Sequence, residues 1–381
     1  MRVGRACSTI WVVATAAMCL IGAPSARVSA RQAPPATAPL VTENLFRNIQ
    51  VLKGIPVDTF FDVMGMFASS MGEDCTFCHS KDAVFRHEAF GDETPRIRRA
   101  RQMMAMMNGI NGANFGGRPM VTCFTCHRGN STPVSAPRLS LQYGEPDDDP
   151  NVIAFPPDTR MTADQILDRY LAAIGGTAEL AKVSSFTAKG SYSGFDTDHK
   201  DVPVDIFAKA PNQRTWIIHM PDGDSYRVFD GRNGWWAGPD GPAPLETLTS
   251  GNLDRYRLEA IVAFPAAIKQ AFASWKVGRT AIDDRPAQIV QGTNPGLLPV
   301  NLYFDSQSGL LVRLVRWNAT PVGPVPTEIN YGDYRAVAGV KMPFTWTVSQ
   351  TYMQMTITLT AIQANVAVDA ALFAKPAPAA R

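Results

Sequence analysis

The sequence predicts two domains of different class. The first is α-helical and loop-rich; the second is an α+β domain built on a large antiparallel sheet. Three observations carry this. Two pentapeptides of the form C-x-x-C-H stand close together in the first third of the chain. A proline-rich stretch with an acidic run follows them. Beyond it, short alternating apolar segments are separated by turn pairs such as Asp230-Gly231, Asn233-Gly234 and Ser308-Gly309. The expected boundaries are a leader at 1–30, a tether at 31–40, the first domain at 41–130, a linker at 131–160 and the second domain at 161–376.

The opening residues read as a secretory signal. Arg2 and Arg5 give a positive start, Ile10 to Ala23 is mostly apolar, and Val28-Ser29-Ala30 offers a small-residue cleavage site. The apolar run is short for a membrane span, which needs ~20 residues. An uncleaved anchor is the other reading, so the chain is expected in the periplasm, with membrane association open. Cys19 is assigned to the discarded peptide. Net charge is +2, which gives no global attraction to nucleic acid. Arg31 to Leu40, rich in alanine and proline, reads as a loose tether.

Two helices are expected before the first pentapeptide. One covers Glu43 to Leu52. The other starts near Asp58 and ends at Met71, with Gly72 as its stop. Its inner stripe would hold Phe60, Phe61, Met64, Phe67 and Ala68. Next comes Cys75-Thr76-Phe77-Cys78-His79, then a charged stretch from Lys81 to Glu93. A third helix begins with Thr94 as cap and Pro95 in its first turn, and runs to about Ile110. A glycine-rich return, Asn111 to Arg118, leads to Cys123-Phe124-Thr125-Cys126-His127.

C-x-x-C-H is the attachment site of a c-type haem. The two thiols, Cys75 and Cys78 or Cys123 and Cys126, bond side groups of the porphyrin. The next residue, His79 or His127, supplies the proximal iron ligand. Two covalently attached haems are therefore expected. A redox dithiol or half of a zinc site would also use C-x-x-C, but neither needs a histidine directly after it in both copies.

An iron held only by histidine keeps one position open. A thioether in that position raises the potential and suits the site to electron transfer. Methionines concentrate here: Met64, Met66 and Met71 precede the first motif, and Met103, Met104, Met106, Met107 and Met120 precede the second. Most methionines are core filler, and periodicity alone does not choose the ligands. His87 is a further axial candidate. Arg96, Arg98, Arg99, Arg101, Arg118 and Arg128 could pair with haem propionates or form a solvated face. Arg128, beside a ligand, is the first choice.

From about Asn44 to Gly129 the chain resembles the cytochrome c subunit of photosynthetic reaction centres. The resemblance is carried by Asn48-Ile49-Gln50-Val51-Leu52-Lys53, the helix Ile55 to Met64, the helix Arg98 to Asn111, and Val121 to Gly129. It implies a methionine sixth ligand on the helix before each motif, which falls on Met64 for the first haem and on Met103 for the second, with Met104 and Met107 as rivals. It also implies a membrane-bound redox complex, such as a photosynthetic reaction centre, and a soluble electron donor as partners. This chain departs from the family's four-haem pattern, since it has one pair of motifs.

In the second domain a helix is expected from Thr162 to Gly175-Gly176. Strands follow at 204–207, 216–218, 226–229, 300–304, 311–315 and 355–359, with a helical insertion from Leu253 to Trp275. Phe229-Asp230-Gly231 with Gly234-Trp235-Trp236, Leu302-Tyr303-Phe304-Asp305 with Gly309-Leu310, and Tyr331-Gly332-Asp333-Tyr334 resemble the lipoprotein-localisation-factor type of half-barrel. Such a sheet implies a lipid ligand or a packed platform. Trp235, Trp236 and Trp346 would line a groove in the first case and fill the core in the second. His199 and His219 receive no role. The chain shows no G-x-S-x-G elbow, P-loop, dinucleotide fingerprint or H-E-x-x-H. The leading expectation is a non-enzymatic electron carrier. The alternatives are a dihaem peroxidase-like enzyme and an envelope lipid carrier with an accessory haem domain.

Overall fold

The computed structural model describes residues 39–137, 139, 143, 149, 151–239 and 241–380. The leader, most of the tether and most of the acidic run Asp147 to Asp149 lie outside these.

The first part is helical with long loops. Helix α1 is a single turn, Thr42–Leu45, where a helix to Leu52 was expected. The chain leaves the helical path at Phe46, and Asn48 takes a left-handed φ of 61°. Distant groups hold it there. The Asn48 side chain donates to Gly91 O and Glu93, and Arg101 donates to the Asn48 carbonyl at 2.8 Å. Helix α2, Val57–Met71, stops at Gly72 in the left-handed conformation, as its sequence requires. Pro56, not Asp58, stands at its N-cap. The expected inner stripe is only half-buried, while Val63, Met66 and the carboxylate of Asp62 are buried. The two motifs form helical turns α3, Cys75–Cys78, and α5, Cys123–His127. Between them lies α4, Pro95–Phe115, capped by the Thr94 hydroxyl and ended by Gly116. It continues five residues past the expected end, through Gly112, because no residue before Gly116 turns left-handed.

The second part opens with α6, Ala163–Ala173, behind a reciprocal capping box of Thr162 and Gln165. A short turn, α7, Thr177–Leu180, leads into a 13-stranded antiparallel sheet. Strands β1 (Ser185–Gly194), β2 (Val202–Lys209), β3 (Gln213–Met220), β4 (Gly223–Phe229), β5 (Gly234–Ala237) and β6 (Glu246–Thr247) run outward to one edge. Helix α8, Ser250–Ala263, then carries the chain to the opposite edge. From there β7 (Ser274–Ile282), β8 (Arg285–Thr293), β9 (Val300–Asp305), β10 (Leu311–Thr320), β11 (Gly323–Val337), β12 (Val340–Gln350) and β13 (Gln354–Ala364) return inward, until β13 pairs with β1. All the expected strands fall within these ranges.

The pleat explains the core. Along β12, Val340, Met342, Phe344, Trp346 and Val348 alternate inward. They meet Ile166, Leu167, Tyr170 and Leu171 of α6 and Leu258 of α8 in the main core. Trp346 is thus core, its ring 5.8 Å from that of Trp216 and tilted 56° to it. Strands β8 to β10 are covered on the other face too, by Phe155 and Ile153 against Ile289, Tyr303 and Trp317. The last part of the linker is therefore bound to the sheet: Gln291 donates to Ile153 O at 2.7 Å and Asn301 to Val152 O at 3.0 Å. A third cluster joins the two parts, with Leu52, Val63, Met66, Met104 and Met107 packed on Val322 and Val325 of the β10–β11 hairpin.

Candidate haem-attachment site

Each motif is a helical turn, so its two cysteines, three apart, share one face. In each pair one thiol is exposed and the other half-buried: Cys75 with Cys78, and Cys126 with Cys123. Asp74 caps the first turn, its carboxylate accepting from the Thr76 amide at 2.7 Å. Thr122 and Thr125 cap the second reciprocally. Burial pushes the Cys123 thiol up to about 11 and raises those of Cys75 and Cys78.

The two histidines are held alike. His79 Nδ1 donates to the Phe90 carbonyl at 2.8 Å, and His127 Nδ1 donates to the Asn130 carbonyl at 2.9 Å. A carbonyl only accepts, so each Nδ1 carries a proton, and in the neutral ring Nε2 keeps its lone pair. That is the tautomer an iron ligand needs, oriented by a backbone partner. Burial also lowers the pKa of His79, which favours the neutral ring. Paired cysteines on one helical face and a histidine with a free Nε2 fit a c-type haem at both places.

The structure locks the motifs to their neighbours. The Thr94 hydroxyl accepts from Ile97 N at 3.1 Å and donates to Cys78 O at 2.6 Å, so one side chain caps α4 and anchors the first motif. Buried Asn111 of α4 donates to Val121 O at 2.8 Å and accepts from Val121 N at 2.9 Å, which fixes the entry to the second.

The methionines fall into two groups. Met64 lies on the half-buried stripe Phe60, Met64, Phe67 and Met71 of α2, and Met103 is half-buried on α4. Met104 and Met107 are buried in the cluster shared with the β10–β11 hairpin. His87 is exposed.

Several arginines already have protein partners. Arg96 donates to Phe77 O at 2.7 Å and stacks 3.8 Å from the Phe77 ring, beside the first motif. Arg101 and Arg98 pair with Glu93, Arg99 donates to Gln102, and Arg118 donates to Phe115 O. Arg128 is exposed in a left-handed conformation, with a 3.4 Å bond to Thr125 O.

Sequence reasoning missed Asn111 and the polar face of α2. Asp58 and Asp62, spaced i and i+4 on an otherwise apolar helix, were the available signal.

In the second part, a cavity of about 70 Å³ lies between sheet and helices, with Ile206, Phe264, Tyr331 and Trp346 in its wall and the Arg214–Glu259 pair at 3.3 Å beside them. Among the described residues no helix is long and apolar enough to cross a membrane.

Parts of the chain are similar to known proteins. A LolA superfamily protein from Nitrosomonas europaea is 13% identical, covering 56% of this chain and 98% of its own, with a TM-score of 0.39. A DUF1329 family protein from Desulfovibrio piger is 10% identical, covering 55% of this chain and 96% of its own, with a TM-score of 0.38. Residues 14–139, which hold both attachment motifs and the helices that carry them, match the family described as Photosynthetic reaction centre cytochrome C subunit, and this part of the chain is cytochrome c-like.

Proposed function

We propose that the chain is an exported dihaem c-type cytochrome that passes single electrons between a soluble donor and a membrane-bound redox complex. A photosynthetic reaction centre is one such complex. The observation that carries the reading is the matched pair of histidines, each with its Nδ1 proton on a backbone carbonyl and its Nε2 free. Bound haem would supply a one-electron couple at iron. Cys75 and Cys78 would hold one group, and Cys123 and Cys126 the other. His79 and His127 would be the proximal ligands.

Met64 and Met103 are the sixth ligands in this reading. Met104 and Met107 are engaged in core packing and Met106 is exposed, and the resemblance falls on half-buried Met103. Arg128, exposed beside His127, would meet a propionate. Two methionine-filled sites leave no open iron for a substrate, which favours a carrier over a peroxidase. The leader, the C-type motifs and the resemblance together support a periplasmic location.

Optical and carbon monoxide titration test this. The reduced wild type is expected to show two low-spin haems per chain and only background carbon monoxide binding. Met64→Ala is expected to bind carbon monoxide at one haem. Full carbon monoxide binding by the wild type contradicts the six-coordinate reading and favours a haem enzyme. Lipid that co-purifies with the full chain in stoichiometric amount would support the carrier alternative.

A further inference from the structure

Helix α2 presents three faces. Phe60, Met64, Phe67 and Met71 form one, half-buried. Val63 and Met66 form the second, in the shared apolar cluster. The third carries Asp58, Asp62 and Gly65, and it is bound to the sheet domain by a set of directed contacts.

The Asp58 carboxylate accepts from the Thr249 amide at 2.7 Å and the Thr249 hydroxyl at 2.9 Å. Asn252 of α8 donates to the Asp58 carbonyl at 3.0 Å and to Asp62 Oδ2 at 3.2 Å. Asn318 of β10 donates to the same Oδ2 at 2.5 Å. Arg316, buried, donates to Gly251 O at 2.7 Å and to Asn252 Oδ1 at 3.3 Å. At Gly65 the helix backbone itself meets the β12–β13 turn, where an added Cβ would collide with Thr351 Oγ1 and Tyr352.

A helix turns as a rod. Residues two apart point about 200° from one another, so whatever holds Asp62 also sets where Met64 points. An apolar contact tolerates sliding, but a buried carboxylate with fixed donors does not, because leaving them costs the desolvation of a charged group. Axial ligation needs placement within about 0.5 Å and 10–20°.

We propose that the sheet domain sets the rotation of helix α2 through Asp62, with Asn318 as the positioning residue for the Met64 thioether. This rests on Met64 being an iron ligand. It gives the second domain a task within the electron-transfer reading: it is the clamp that keeps the first haem six-coordinate.

The test uses the full, haem-loaded chain. Asn318→Ala is compared with wild type, with Met64→Ala, and with Ile357→Val, a truncation in the sheet core. The readouts are the far-red ferric methionine–iron band and carbon monoxide uptake by the reduced protein. Asn318→Ala is expected to weaken the band of one haem and raise carbon monoxide uptake about tenfold over the wild-type background, roughly 1.4 kcal/mol of lost ligation. Ile357→Val is expected to change neither. If Asn318→Ala behaves like Ile357→Val, Asn318 is only structural and the proposal is overturned. If Asn318→Ala does not fold, Asn252→Ala carries the same comparison, since it removes the other side-chain donor to Asp62 Oδ2. An unchanged band in Asn252→Ala then overturns the proposal, and a weakened one supports it. A band that persists in Met64→Ala overturns the ligand reading itself, whatever Asn318→Ala shows.

Discussion

The Gly129 amide donates to the Ser70 carbonyl at 2.8 Å, so the chain leaving the second motif is bonded to the helix end that leads into the first. Gly72, two residues further on, lies against it: a Cβ there would come 2.5 Å from the Gly129 carbonyl oxygen. Both glycines have left-handed φ, 66° and 76°. The two attachment sites are thereby brought side by side through backbone contact that only glycine permits.

Gly72→Ala should therefore cost about 2–4 kcal/mol, the sum of left-handed strain and a backbone clash. Gly54, at φ 74° with nothing near its Cβ position, is the matched control. Gly54→Ala should cost about 1–2 kcal/mol, from the strain alone. Urea unfolding of both variants checks this; equal losses would mean that the approach at Gly129 is not tight.

Asn111 is buried and its side chain satisfies both backbone groups of Val121. Asn111→Leu should destabilise by about 2–3 kcal/mol, since two half-buried backbone groups lose their partner. It should also lower haem occupancy at Cys123 and Cys126 relative to the first motif. Peptide mass mapping separates the two motifs; unchanged occupancy at the second would show that the Asn111 bonds do not shape it.

His219 stands between two carboxylates, with Asp224 at 2.8 Å and Asp205 at 3.3 Å. The hydrogen bond that the ring donates to Asp224 is the largest cause raising its pKa above 6.5, and Asp205 adds to it. A raised folded-state pKa contributes stability that is complete below about 6.5 and is lost as pH rises through the folded value. The ring is more than a third exposed, so the effect is modest. Thermal melts of His219→Gln should fall below wild type at pH ~5.5 and match it at pH ~9. A gap of the same size at both pH values would contradict the charge pairing.

Much of the fold is legible in the sequence because it rests on local rules. Thr94 and Pro95 start α4, Gly72 stops α2, and the alternation at 204–207 and 355–359 marks strands β2 and β13. The motif cysteines and histidines follow from spacing alone. What escapes is fixed by partners far along the chain. Asn48 breaks the first helix because Gly91, Glu93 and Arg101 hold it. Asp62 is buried because Asn318 meets it across 256 positions, and no local pattern announces that pairing. Even the expected inward stripe of α2 is displaced by this contact, since the face that carries Asp62 faces the sheet domain instead.

The proposed electron carrier requires two haems joined to this chain through Cys75, Cys78, Cys123 and Cys126. Intact mass spectrometry of the matured protein after acid–acetone extraction tests it most directly. The expected result is a chain heavier by two haem groups, with one group lost when both cysteines of either motif are changed to alanine. A chain with no added mass, and all colour in the acetone, would contradict it.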